Sequence, residues 1–304
     1  MVNPAMRQVP PFNPLLALAV GAMAISTGAI FARLADAPPL VIAAYRVGLA
    51  TVLLAPFAFL RHRQALQRLT WPDLRLALLS GAFLAGHFAT WISSLNYTSV
   101  ANSVVLVNTN PIWVGLLTPL VTGDRVARAT VVGIGVSVAG GLVIGAGDLA
   151  GGGGALVGDA LALAGSLCAA AYILIGRNLR RRLSLVPYIL LCYGSAAVFL
   201  WLAVLGLRLP VAGFSGGTWA AFWGMAIVAQ LVGHTSFNWA LRWFSAGAIA
   251  VALLGEPIGA TILAYLIFGE GLTVSKVVGG GMILAAIWLA SSAERNRAAA
   301  AIDS

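Results

Sequence analysis

A chain that repeats itself at a fixed offset, and is apolar in both copies, has few folds open to it. Leu95, Ser99, Pro111, Gly123 and Gly133 recur 146 residues later as Leu241, Ser245, Pro257, Gly269 and Gly279. Between these anchors Asn110 is answered by Glu256 and Asp124 by Glu270. Gly86-His87 returns as Gly233-His234, one residue out of step. If one copy holds an odd number of membrane spans, the second must sit upside down relative to the first. Inverted repeats place a polar site near the membrane midplane, where the two copies meet.

Composition supplies the spans. Hydrophobic residues make up 60% of the 304, and charged residues only 9%, against roughly 25% in a soluble chain. Ten apolar stretches lie near 14–32, 38–60, 73–95, 99–121, 127–146, 155–176, 185–207, 217–240, 246–268 and 274–292. Each is long enough to cross a hydrocarbon core of ~30 Å. The predicted fold class is an all-α integral membrane protein, with ten transmembrane helices as two inverted five-helix repeats. The repeats divide the chain into 1–147 and 148–304, within a single transmembrane domain. The first stretch reads as a span and not as a cleavable signal, because its apolar run is too long and no convincing cleavage site follows. The joint between the copies, Gly145–Gly154, carries four consecutive glycines and reads as a flexible loop outside the membrane.

The net charge of +9 does not point to nucleic acid, because its placement follows the spans. With the N-terminus inside, the cytoplasmic side holds 14 of the 18 Lys and Arg residues, among them Arg61, Arg63, Arg68, Arg75, Arg128, Arg177 and Arg180. The outer side holds Arg33, Arg208 and Lys276, and Arg46 lies within a span. This is the positive-inside pattern. It predicts a multi-pass protein of the cell inner membrane with both termini cytoplasmic.

The chain contains no P-loop, no HExxH and no GxSxG, so neither an ATP-driven pump nor a familiar hydrolase is signalled. No cofactor and no metal site is implied. Cys168 and Cys192 fall inside spans and read as small buried residues without a disulfide. The fifth and tenth spans are glycine-rich, with Gly133, Gly135, Gly140 and Gly141 in one and Gly279, Gly280 and Gly281 in the other. Such residues let helices approach closely in lipid, within the fold or between the protomers of a homodimer.

Polar groups inside lipid are costly and usually face a cavity. His87, Trp91 and Ser94 share one face of the third span, at spacings of four and three. Gln230, His234 and Asn238 share one face of the eighth. The repeat places these stripes opposite one another, either lining a common cavity or packing as satisfied core residues. Asn108 and Asn110 precede Pro111, and Glu256 precedes Pro257. A proline inside a helix removes one backbone hydrogen bond and clashes with the preceding turn. Pro111 and Pro257 therefore read as a pair of hinges. Asn108, Asn110 and Glu256 then read as a binding point, or Glu256 as a structural group bonded to a neighbouring helix. Arg46 needs a partner, and Asp159 and Asp36 are candidates for an intramembrane ion pair, with capture of a substrate carboxylate as the alternative. Tyr172 and Trp113 read as packing residues or as stacking surfaces for a substrate.

The segment Leu95 to Val126, LNYTSVANSVVLVNTNPIWVGLLTPLVTGDRV, resembles a hallmark of the drug/metabolite transporter superfamily, EamA type. So does Leu241 to Leu272, with Glu256-Pro257 and the Gly269-Glu270 turn, as do Gly158-Asp159, Tyr172 and Arg46. Within that superfamily the chain most resembles the aromatic amino-acid exporters of the YddG kind. The resemblance implies a secondary transporter working by alternating access, exporting aromatic and other neutral amino acids from cytoplasm to periplasm. An exporter of drugs or other small metabolites on the same fold is the alternative. An intramembrane enzyme would need clustered carboxylates or a nucleophile–base pair. His87, His234, Asp159 and Glu256 form no such motif, so the chain does not read as an enzyme.

The charge pattern predicts topology. Tags at both termini are expected to react only from the cytoplasm, and the Gly145–Gly154 joint only from outside, in impermeant-reagent labelling of intact cells. A periplasmic C-terminus would require an odd number of spans and overturn the inverted arrangement.

Overall fold

In lipid no water is present to bond a free N–H or C=O, so the backbone must satisfy itself within each segment. The computed structural model describes residues 13–110, 112–114, 116–117, 128–150, 154–180, 182–240, 253 and 255–303, and among them it is helical with no strand. The helices are α1 (Pro14–Ser26), α2 (Gly28–Leu34), α3 (Pro39–Arg61), α4 (Arg63–Gln67), α5 (Trp71–Ser94), α6 (Val100–Val107), α7 (Arg128–Ala150), α8 (Ala155–Arg180), α9 (Leu185–Gly206), α10 (Gly216–Gly224), a π-helical segment (Met225–His234), α11 (Thr235–Ala240), α12 (Gly255–Phe268) and α13 (Val274–Asp303). Among the described residues, five segments are long and apolar enough to cross a membrane: Leu16–Leu34, Pro39–Arg61, Trp71–Ser94, Ala155–Arg180 and Leu185–Gly206. Gly255–Phe268 and Val274–Ala286 are shorter apolar helices. Large apolar side chains cover the outside, with Val52, Phe59, Leu202 and Leu266 each more than half exposed, as a lipid-facing surface requires.

Helix starts are marked by polar caps. Thr70 and Asp73 form a capping box ahead of α5, with Pro72 in the first turn. Ser99 accepts from Asn102 N to open α6, and Ser215 from Thr218 N to open α10.

Several spans are interrupted where polar residues cluster. The first breaks at Thr27, between α1 and α2. The fourth stops at Val107 and turns through Asn108 and Thr109 before helix resumes. Residue 111 is a proline and offers no N–H to the Val107 carbonyl. The side-chain amide of Asn110 donates to that carbonyl instead, at 3.4 Å. The hinges expected at Pro111 and Pro257 otherwise fall outside the described residues: Pro111 itself, and 241–252 with 254, which lead into Pro257. The eighth span is π-helical over Met225–His234, where α-helical spacing had been expected. The one-residue slip of Gly233-His234 against Gly86-His87 coincides with this wider turn. The flexible joint expected over Gly145–Gly154 is also shorter than read, because α7 runs on to Ala150.

The packing exchanges partners between the two halves. α5 packs along α8 as the π segment packs along α1; α6 meets α8 as α12 meets α1; α5 meets α9 as the π segment meets α3. The pairs α7 with α13, α3 with α9 and α6 with α12 map onto themselves under the same exchange. Glycines set the closest approaches. A Cβ at Gly81 would meet the Ser195 hydroxyl and sit 2.7 Å from the Cys192 carbonyl oxygen and 2.9 Å from the Ala196 amide. Gly140 is as close to α13, 2.7 Å from the Gly279 carbonyl oxygen, whereas Gly135, Gly141 and Gly281 meet nothing within 4 Å. Only some of the glycines in spans five and ten are therefore contact glycines within the chain.

Gly81→Val is expected to lose about 1–3 kcal/mol of stability, because its new methyls press on backbone that cannot turn aside. Gly281→Val, facing open space, should leave stability unchanged. Thermal unfolding of the detergent-solubilised variants checks the contrast.

Candidate functional site

The repeated Gly-His pair brings two imidazoles, one from each half of the chain, within 6.4 Å of each other. Gly86 lets α5 approach α8, its Cβ position lying 3.2 Å from the Cys168 sulfur. The facing glycine, Gly165, would put a Cβ 3.2 Å from that of Trp91. At this distance His87 Nδ1 reaches the Gly165 carbonyl at 2.9 Å. A carbonyl only accepts, so Nδ1 is the donor in this bond. Trp91, one turn on, stacks parallel to His87 with ring centroids 6.0 Å apart. In the other half a Cβ on Gly233 would collide with the Ile25 side chain, so the π segment lies directly against α1. His234 is thereby placed 6.4 Å from His87 and edge-on to Phe88 at 5.4 Å.

These residues border a cavity. Its walls are Ile25, His87, Trp91, Val107, Asn108, Asn110, Ala169, Tyr172, Ile173, His234, Phe237, Asn238, Leu253 and Glu256. Space open to the centre of a water-sized sphere amounts to about 70 Å³, enough for a few waters at roughly 10–15 Å³ each. The walls are mainly apolar with a few placed polar groups, as small-molecule sites usually are.

Two hydrogen-bonded groups fix the polar walls. Tyr172 donates to Asn238 Oδ1 at 2.8 Å, and Asn238 Nδ2 donates to the Tyr193 hydroxyl at 3.1 Å. The backbone carbonyl of Asn238 also accepts from Arg180 Nε at 3.2 Å. Across the joint between the copies, Asn108 Nδ2 donates to Glu256 Oε2 at 3.1 Å. Asn108 also bonds the Val104 carbonyl at 2.9 Å, which ties the end of α6 to the start of α12.

The structure brings together His87, Trp91, Asn108, Asn110, Tyr172, His234, Asn238 and Glu256. Ser94 is not on the cavity: fully buried, its hydroxyl bonds the Trp91 carbonyl and the Ser103 hydroxyl, each at 2.6 Å. Gln230 is also off the wall, because the π-helical turn changes the rotation per residue and aims it at Arg46. Trp113 borders a separate, largely apolar cavity between the fourth, fifth and sixth spans, together with Asp159. Arg46 and Asp159 accordingly make no ion pair. Arg46 Nε donates to Gln230 Oε1 at 2.8 Å, and its guanidinium lies 4.0 Å from the Phe88 ring centroid. Asp36 is exposed near the end of α2, where its backbone amide bonds Thr218. The walls that sequence reasoning missed are Ile25, Val107, Ala169, Ile173, Phe237 and Leu253. An apolar residue in an apolar helix carries no mark of which way it faces.

Beyond Arg46, one end of the bundle is tied by Arg33. Its guanidinium pairs with Glu270 Oε1 at 3.4 Å and donates to the Thr98 carbonyl at 2.7 Å, while Glu270 Oε2 accepts from Val100 N at 3.0 Å. Three chain segments are thus held together. At the start of α5, Asp73 pairs with Arg182 at 3.2 Å.

The chain is similar to known transporters. An "Uncharacterized transporter" of Archaeoglobus fulgidus is 24% identical over 204 residues, 66% of this chain and 71% of that protein. The "Uncharacterized transporter YyaM" of Bacillus subtilis is 23% identical over 259 residues, 83% of this chain and 84% of its own. A solved crystal structure shares the fold at a TM-score of 0.66, covering 93% of this chain and 98% of that one, at 19% identity. The model of the EamA-like transporter family matches residues 13–146 and 156–292. The protein is a multi-pass membrane protein, and it belongs to the EamA-like transporter family.

Proposed function

We propose that this family member is a ten-span secondary transporter of the inner membrane, built as two inverted repeats. It exports neutral amino acids, aromatic ones foremost, by alternating access. Two matches of one family model, at 13–146 and 156–292, support the duplication, as does the exchange of packing partners between the halves. With five spans in each copy the repeats run in opposite directions.

The observation that carries the substrate reading is the cavity. Both copies contribute to it, and it combines flat rings (Trp91, His87, Tyr172, His234) with amides and one carboxylate. Rings stack on rings, and amides with Glu256 offer partners to a polar backbone. At about 70 Å³ it is a pinched site, and the helices must part to admit a substrate, which is what alternating access provides. In the topology read from the arginines, the Arg33–Glu270 tie lies on the periplasmic side and holds that mouth shut. A second reading has one observation in its favour: a lone carboxylate on an apolar wall also suits an organic cation. That is an exporter of drug-like amines on the same fold.

Flux in proteoliposomes separates the readings, using labelled neutral amino acids and drug-like amines with and without a pH gradient. Phenylalanine and tryptophan are expected to move. Trp91→Ala and His234→Ala should each cut their flux about tenfold, the cost of losing a buried ring contact, with folded yield retained. Flux of amines alone would replace the first reading with the second. Wild-type flux in both variants would remove the cavity from the transport path.

A further inference from the structure

Buried donors without acceptors call for an explanation. Three of them lie together beside the cavity. Arg46 Nη1, Trp91 Nε1 and Gln230 Nε2 are each buried with no hydrogen-bond partner among the described residues, on side chains 1%, 3% and 0% exposed. They belong to one cluster. Arg46 Nε bonds Gln230 Oε1 at 2.8 Å, and the guanidinium carbon lies 5.6 Å from the Trp91 ring centroid. Trp91 is also a cavity wall, so the cluster abuts the space a substrate would enter.

The chemistry of the cluster is one-sided. Every free atom is a donor, and its one amide oxygen is already taken by Arg46. The set lacks an acceptor-only group with two oxygens, and a carboxylate is such a group. A buried cation without a bonded counter-ion is also expensive. Glu256 acts electrostatically on Arg46, but its carboxylate is bonded to Asn108 elsewhere on the wall. The broken first span adds room. Gly28, just past the break at Thr27, presents bare backbone to Arg46, and a Cβ there would lie 3.6 Å from Nη1 and 3.5 Å from the Trp91 ring.

We propose that Arg46, Gln230 and the Trp91 indole N–H form the carboxylate-binding end of the substrate site, with Glu256 and Asn108 as its ammonium end. The inference rests on the transport reading above and adds to it the charges a substrate must carry. A zwitterion placed between Arg46 and Glu256 satisfies both groups at once, whereas a simple amine or a simple acid satisfies one. Trp91 then has two roles, as a flat wall toward the side chain and as a donor toward the carboxylate.

The test uses the full chain in nanodiscs and three probes with one aromatic ring: L-phenylalanine, 3-phenylpropionate and phenethylamine. Wild-type protein is expected to bind phenylalanine at least about tenfold tighter than either half-probe, the value of a hydrogen bond to a charged group. Arg46→Gln should lose about tenfold or more for phenylalanine and phenylpropionate yet keep its affinity for phenethylamine, and that retained binding shows an intact cavity. Glu256→Gln should do the reverse. Trp91→Phe keeps the ring and removes only the N–H, so it should weaken the two carboxylate probes several-fold and leave phenethylamine unchanged. Unchanged carboxylate binding in both Arg46→Gln and Trp91→Phe overturns the proposal, as does wild-type protein that binds phenethylamine as tightly as phenylalanine. If phenylpropionate binding depends on Arg46 but no amino acid moves in liposomes, the carboxylate site stands and the amino-acid reading falls. If amino acids move and Arg46→Gln moves them at the wild-type rate, the transport reading stands and the carboxylate site falls.

Discussion

The lipid offers no hydrogen bonds, and the arrangement of this protein follows from that. Backbone is kept helical wherever it can be, and each departure is repaired locally. Where the fourth span turns ahead of residue 111, Asn108 and Asn110 bond the Val104 and Val107 carbonyls with their side-chain amides. Where the first span breaks, Ser26 and Thr27 return hydroxyls to the Ala22 and Ala24 carbonyls. The breaks lie where the polar side chains gather. A locally broken helix both exposes polar backbone and needs polar neighbours, so irregular backbone and functional side chains collect in one layer.

Close approach of helices is the second element. Without a hydrophobic force between helices, packing decides which faces meet. Gly86 and Gly165 draw α5 and α8 together, and Gly233 draws the π segment onto α1. The two histidines follow directly after glycines, so the residue that sets the helix crossing also sets the reach of the imidazole. This is a physical reason for the pair to recur as a unit in both copies.

A narrow cavity walled by residues from both halves of the chain suits a transporter, which must bind a solute without leaking. On its walls His87, Asn108, Asn110, Tyr172, Asn238 and Glu256 are held by bonds among themselves or to backbone, whereas the wall residue Trp91, with Arg46 and Gln230 beside it, retains unused donors. That contrast is what the proposed carboxylate site rests on.

Membrane residence, the transporter family and most of the polar walls were legible in the sequence. Apolar run length, the 146-residue offset and the cost of polar groups in lipid are one-dimensional signals. His87, Trp91, Tyr172, His234, Asn238 and Glu256 stood out because a polar or aromatic residue in an apolar helix is conspicuous. Only the tertiary structure decided which of them share a space. Ser94 turned to Ser103, Trp113 and Asp159 fell to another cavity, and Gln230 met Arg46 because a π-helical stretch replaced the expected α-helical spacing. Helical periodicity assigns a residue to a face of its own helix. Which neighbour that face meets, and how far the turn rotates it, depends on glycine contacts and a local change of helix type, and neither is written in the spacing.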